Sequence, residues 1–170
     1  WVRTQLSSGT ERVPNTRPEQ EPTRTFGYID ISAVDNSRFE VMPLEVKHFA
    51  GKDAPSRARR PVQAGDVLFS NVRTYLRNVA LVRETTNAEL CSTGFTVLRP
   101  NGAVLPEYML RWVLTDAFID AVTPQQTGTH YPATSDRVVL SQHVPLAPLA
   151  EQGRIVEKVE ALLARVNAAR

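Results

Sequence analysis

Through the first hundred residues the apolar positions come in short alternating or continuous blocks, and beyond residue 105 they shift to helical spacing. In "FGYIDIS", Ile29 and Ile31 alternate with polar neighbours and predict a strand. "RFEVMPLEV", residues 38–46, predicts a second, interrupted by Pro43. Further strands are expected at 66–72, 78–83 and 93–99, with turns at Gly65-Asp66 and Pro100-Asn101-Gly102. Between these runs lie two polar stretches: residues 7–25, expected to be exposed, and the long basic connection "GKDAPSRARRPVQAGD".

"PEYMLRWVLTDAFIDAV" opens with Pro106, a residue accepted in a first helical turn, and is apolar on most sides. It predicts one buried helix over 106–122. "TPQQTGTHYPATSD" then reads as a loop, and "RVVLSQHVPL" as a return to strand. After Pro148 the pattern becomes a coiled-coil seam, with Ile155, Val159, Leu162, Val166 and Ala169 spaced by four, three, four and three, and Val156 and Leu163 widening it. Glu151 in the first turn and Arg165 and Arg170 near the end suit the helix dipole. An isolated amphipathic helix is marginal in water, so it needs a partner or must fold back on its own domain. The expected architecture is α+β: an irregular, strongly twisted mixed sheet with packed helices over 1–147, followed by a coiled-coil helix from 148 to 170.

Composition is ordinary for a globular protein, with 42% hydrophobic and 22% charged residues, and no apolar run is long enough to span a bilayer. The single cysteine, Cys91, excludes an internal disulfide framework and fits a reducing cytoplasm. Net charge is only +2, but residues 51–83 hold seven bases against two acids. Seventeen of the twenty basic residues are arginine, the side chain suited to bidentate contact with phosphate or a guanine edge.

Two candidate contact surfaces follow. Lys52, Arg57, Arg59 and Arg60 crowd the basic connection, and Arg73 and Arg77, with Tyr75 between them, lie beyond the next strand, where folding can bring them to the same edge. "QQTGTHYP" supplies Gln126, Thr129, His130 and Tyr131, whose amide, hydroxyl, imidazole and phenol groups can distinguish base edges, while Gly128 permits close backbone approach. An alternative in another class is a Mg²⁺-dependent nuclease, in which Asp35 and Glu45 hold the ion and Lys47 polarises the attacking water. A thiolate nucleophile built on Cys91 with His48, His130 or His143 is weighed against a cysteine that is simply packed. A third reading is a pure assembly module acting only through its last helix. No zinc spacing, phosphate loop or dinucleotide fingerprint is present, so no cofactor or metal is expected.

Six segments in order, "FGYIDISAVDNS", "APSRARRPVQAGDVLFSNVRTYLRNVALV", "STGFTVLRP", "PEYMLRWVLTDAFID", "GTHYPATSDRVVL" and "VPLAPLAEQGRIVEKVEALLA", resemble target recognition domains of type I restriction-modification specificity subunits, from about residue 26 to 166. The resemblance implies a non-catalytic, cytoplasmic subunit that reads one half of a split site on double-stranded DNA. It further implies that methyltransferase subunits dock on it, that translocating nuclease subunits join the complex, and that long paired helices set the spacing between half-sites. Under it, residues 57–60, 73, 77 and 128–131 fall in DNA-facing segments, and the Glu45-Val46-Lys47 stretch has no catalytic role. One recognition domain and one helix imply either half of a longer subunit or a half-subunit that pairs with a second copy.

Overall fold

The computed structural model of the chain describes residues 1–168. Its centre is a six-stranded sheet in the order β2 (Thr10–Glu11), β11 (Phe95–Pro100), β8 (Val67–Ser70), β9 (Val79–Leu81), β5 (Glu40–Val41) and β4 (Val34–Asp35). Side chains alternate between the two faces of a strand. Val67, Phe69, Val79, Leu81 and Leu98 therefore share one core with the helices, while Leu68, Ala80, Phe95 and Val97 share another with a second sheet. Both faces of β8 are covered, which explains a continuous apolar run where a half-exposed strand would alternate.

The second sheet runs β6 (Lys47–Ala50), β3 (Thr25–Ile29), β10 (Leu90–Ser92) and β7 (Ala58–Pro61), with β3 and β10 parallel. Ile29 and Cys91 point from it into the shared core, and Phe26, Tyr28, Ala58 and Leu90 form a smaller cluster with Phe49. A third pairing joins β1 (Val2–Gln5) to β12 (His143–Leu146), and Leu6, at 1% exposure, follows it into the helix-side core.

Helices α1 (Pro106–Val113), α2 (Asp116–Val122) and α3 (Asp136–Ser141) cover the outer face of the six-stranded sheet. The Phe118 ring meets Phe69 edge-on, with centroids 5.5 Å apart. Burying a side chain of this size stabilises the fold by roughly 1.5–3 kcal/mol.

Five elements differ from the sequence-based expectation. Of the 38–46 run only Glu40–Val41 is strand, because Pro43 opens a 3-10 turn over Pro43–Glu45. The 106–122 helix is two helices, because the Thr115 hydroxyl accepts a hydrogen bond from the Phe118 N–H and starts a new one. In 137–146 only the last four residues are strand; Ser135 caps α3 by accepting from Val138 N–H. The strand at "FGYIDIS" stops at Ile29, where the Asp30 carboxylate accepts the Ile31 N–H at 2.8 Å and opens a 3-10 turn. Arg59 and Arg60 lie on strand β7 rather than in a loop.

The last helix, α4 (Leu149–Ala168), is rooted in the domain. Gln152, fully buried, donates to the carbonyls of Ala103 at 2.9 Å and Ala147 at 2.8 Å and accepts the Leu105 N–H at 2.8 Å. Ile155 and Val156 pack on the helix-side core, and Glu160 pairs with Arg111 of α1. Beyond that point the apolar stripe has no cover: Leu162 is 48%, Leu163 40% and Val166 53% exposed. Ala169 and Arg170 of the expected seam and dipole lie outside the described residues.

Candidate nucleic-acid interface

The basic segments are drawn together by backbone hydrogen bonds. After β8 the chain passes Asn71, whose N–H donates to Gly94 O at 2.8 Å, while Thr93 N–H donates to Arg57 O at 2.9 Å. The turn at 92–94 thus ties the 57–60 strand to the start of the 71–77 segment. On the other side, Val72 bridges Ala133, Arg73 N–H donates to Pro132 O at 2.9 Å, and Thr134 N–H donates to Asn71 O at 2.8 Å. Residues 57–60, 71–77 and 126–134 therefore line one edge of the molecule. The loop itself closes by reciprocal Thr127–Ala133 bonds of 2.9 Å each. Gly128, at φ +97°, has the Tyr131 carbonyl oxygen only 3.1 Å from where a Cβ would lie, so this position suits glycine alone.

The arginines divide into two sets. Arg59 pairs with Glu19, whose carboxyl is held below its ordinary range by a hydrogen bond from its own backbone N–H and by the Arg59 guanidinium. Arg60 pairs with Asp136, which also accepts the Asn71 side-chain N–H at 3.0 Å. The Thr96 hydroxyl lies 2.7 Å from Asn71 Oδ1 and 2.8 Å from Asp136 Oδ1, completing a network of four side chains. Arg77 donates to Leu114 O at 2.9 Å and pairs with Asp116, bridging the α1–α2 junction. These three guanidiniums have carboxylate partners at home.

Lys52, Arg57 and Arg73 have no carboxylate partner among the described residues. Arg73 lies over the Tyr131 ring, 5.5 Å from its centroid, and its Nη2 lies 3.4 Å from His130 O. Thr129, His130 and Tyr131 are exposed, as is Tyr75 at 52%. Gln126 turns inward, donating to the Thr74 hydroxyl at 2.8 Å. The edge offers cations, an aromatic face and polar tips on a fixed frame, which is what phosphate positioning and base-edge contact require. Sequence reasoning missed Asn71, Thr74, Thr96 and Asp136, which hold that frame. The Ser135-Asp136 pair was the one available signal, as a helix start.

Neither catalytic alternative assembles. Asp35 accepts from Ser37 N–H at 2.9 Å, Ser37 hydroxyl at 2.6 Å and Arg38 N–H at 3.2 Å, so its carboxylate closes a turn. Glu45 borders the same hollow as Asp35, but Arg38 lines it too, and Lys47 instead faces Asp30 at 3.5 Å. Among the described residues no three His, Cys, Asp or Glu side chains cluster as metal ligands. Cys91 is fully buried, and burial pushes its thiol far above the ordinary range, the opposite of a reactive thiolate. Among the described residues no helix is long and apolar enough to cross a membrane.

No protein-family model matches the chain. The chain is 28% identical over 113 residues to the type I restriction enzyme EcoDI specificity subunit of Escherichia coli, matching 66% of its own length and 24% of that protein. It is 28% identical over 123 residues to the HindI specificity subunit of Haemophilus influenzae, covering 69% of this chain and 26% of the relative. Among solved structures, the HsdS subunit from Thermoanaerobacter tengcongensis superposes with a TM-score of 0.91 at 38% identity, over 100% of this chain and 44% of that one. A chain from a study of complex assembly and conformational transition of the type I R-M system matches with the same TM-score of 0.91 and identity of 38%. By sequence and fold the chain is a relative of type I specificity subunits, spanning about a quarter of the curated relatives' length and under half of the solved one.

Proposed function

We propose that this chain is one target recognition domain of a type I specificity subunit, binding double-stranded DNA and reading one half of a bipartite site. The observation that supports the reading most directly is the convergence of three segments on one edge, where Arg73 lies over Tyr131 beside His130 and neither it nor Arg57, whose guanidinium lies near Gly94, has a carboxylate partner among the described residues. Lys52, Arg57 and Arg73 contact phosphates or a guanine edge; Thr129, His130 and Tyr131 approach the bases. Arg59, Arg60, Arg77 and Gln126 hold the segments in place, since each already has a partner within the chain.

The chain itself carries no catalysis. It acts in the cytoplasm by presenting the half-site to docked methyltransferase subunits, with restriction and translocase subunits joining through the assembled complex. Helix α4 is the spacer: Ile155 and Val156 root it on the helix-side core, Val159 lines an open hollow beside α1, and the exposed Leu162 and Val166, with Leu163, pair with a second long helix. That helix belongs to the other half of a longer subunit or to a second copy of this chain.

The test is site-specific methylation in cells carrying the chain with its neighbouring methyltransferase and motor genes. A split motif is expected, with occupancy falling in Arg73→Ala and Arg57→Ala while the fold persists. Unchanged methylation in both variants would remove the proposed interface.

A further inference from the structure

The turn between β8 and β9 is built in an unusual way. Arg73 at φ +48° and Arg77 at φ +52° both occupy the left-handed region, which side chains other than glycine rarely enter, and they flank the 3-10 turn Thr74–Leu76. The backbone between them is fastened from several directions. Thr74 is 1% exposed, with its hydroxyl 2.8 Å from that of Thr123 and accepting from Gln126 at 2.8 Å. Asn36 Nδ2 donates to Leu76 O at 3.0 Å, and Pro132 and Leu114 anchor the two flanking arginines.

Yet the two side chains at the tip are only half covered by their own fold. Tyr75 is 52% and Leu76 43% exposed. An ordinary turn carries Gly, Asn, Asp or Ser at its tip. Here a strained, over-determined backbone projects an aromatic and a branched aliphatic side chain toward solvent, beside the unpaired Arg73 guanidinium. On a polyanionic duplex, the apolar surface available to such a pair lies between stacked bases, and the neighbouring cation matches the phosphates around it.

We propose that Tyr75 and Leu76 form a wedge that enters between two successive base pairs of the half-site and partly unstacks them, so that one position is chosen by the ease with which its step opens. The inference rests on the DNA-reading assignment above. Pyrimidine–purine steps open most readily, so the half-site carries such a step opposite the wedge. Discrimination there comes from deformability rather than from hydrogen bonds to base edges.

The probe is the duplex that the chain, assembled with its methyltransferase, enriches from a random-sequence pool, resynthesised with 2-aminopurine at each half-site position in turn. Binding is expected to raise fluorescence several-fold at one step distinct from the base that the methyltransferase itself extrudes. The rise is lost in the double variant Tyr75→Ala, Leu76→Ala and kept in Tyr75→Phe and Leu76→Met, while the complex still binds the duplex. Both side chains are about half exposed, so the double variant keeps its circular dichroism spectrum with a modestly lowered melting temperature, and binding is compared well below it. Binding without a fluorescence rise at any position other than the extruded base, or a rise there unchanged in the double alanine variant, overturns the wedge and leaves the DNA-reading assignment standing. That outcome would fit contact with a thymine methyl in an unbroken stack. If the assembled parent complex enriches no duplex, the DNA-reading assignment falls, and the wedge with it.

Discussion

Two neighbouring turns, joined by the Asn36 to Leu76 hydrogen bond, meet the same geometric problem differently. The turn at Asp35–Phe39 closes itself: the Asp35 carboxylate accepts from Ser37 and Arg38, and Phe39 N–H donates to Asp35 O at 2.7 Å. Its left-handed residue, Phe39 at φ +59°, packs its ring on the helix-side core. The turn at Arg73–Arg77 has no side-chain cap of its own. Each left-handed residue costs roughly 1 kcal/mol, and here that cost is offset by contacts from the 123–132 segment and the α1–α2 junction. In the first turn the Asp35 carboxylate is used up in closing the turn and the Phe39 ring in the core. In the second, stabilisation comes from outside, and Arg73, Tyr75 and Leu76 are left available. A turn whose conformation is supported by remote groups can present its own side chains to a ligand.

If that support is real, removing its anchor should do the most damage. Asp136 ties Arg60, Asn71 and Thr96 together at the base of the converging segments. Asp136→Ala leaves the largely buried Arg60 without its counter-charge, and we expect about 2–3 kcal/mol of lost stability together with lost DNA binding. Thermal melting and a binding titration measure the two effects. A destabilised protein with unaltered DNA affinity would show that the frame is irrelevant to the interface. Next in size is Thr74→Val, which strands the Thr123 hydroxyl and the Gln126 amide and should cost about 1–2 kcal/mol by chemical denaturation. Ser37→Ala, made in the self-closing turn, should cost less, because its group is exposed.

What could be read from the residues follows the same division. The strands at Val67–Ser70 and Phe95–Pro100 were legible because they are apolar blocks buried on both faces. Strand β7 was hidden because an edge strand bearing Arg59 and Arg60 looks like a charged loop. Val138, Val139 and Leu140 mimic a strand, and only the Ser135 cap makes them helical. Leu6 was missed because its burial depends on β1 pairing with a segment nearly 140 residues away. At the interface, the segments were legible as clustered arginines, but their division into paired and unpaired was not. That division depends on Glu19, Asp116 and Asp136, which approach only in the folded chain. The left-handed arginines had no marker at all, since no glycine signals either position.

Arg73 and Arg77 give the sharpest contrast between residues of one type. Arg73→Ala should leave stability within about 0.5 kcal/mol of the parent and lower the salt slope of DNA binding by about one unit. Arg77→Ala should do the reverse, lowering stability by about 1 kcal/mol through loss of its bonds to Leu114 and Asp116, with little change in slope. Identical behaviour in the two variants would erase the distinction between holding and contacting arginines.

The smallest effect belongs to the self-closing turn and is read through pH. Hydrogen bonds from the Ser37 hydroxyl and then the Ser37 N–H hold the Asp35 carboxyl below its ordinary range. A folded-state pKa below the unfolded one means that the carboxylate's contribution is fully present above the unfolded value. It disappears as pH falls through the depressed folded value. Asp35→Asn keeps an oxygen able to accept the Ser37 N–H but removes the charge, so parent and variant should differ slightly in melting temperature near neutrality, begin to converge as pH falls below the ordinary carboxylate value of about 4, and coincide only below the depressed folded value. Lys47→Ala should change neither melting nor methylation, because its exposed pairing with Asp30 stabilises little. Since the carboxylate of this turn binds its own backbone, DNA affinity at neutral pH should be the same in Asp35→Asn and the parent. A loss of affinity there would carry the Asp35 turn into the interface, and the contrast between a turn that supports itself and one that is supported for a ligand would no longer hold.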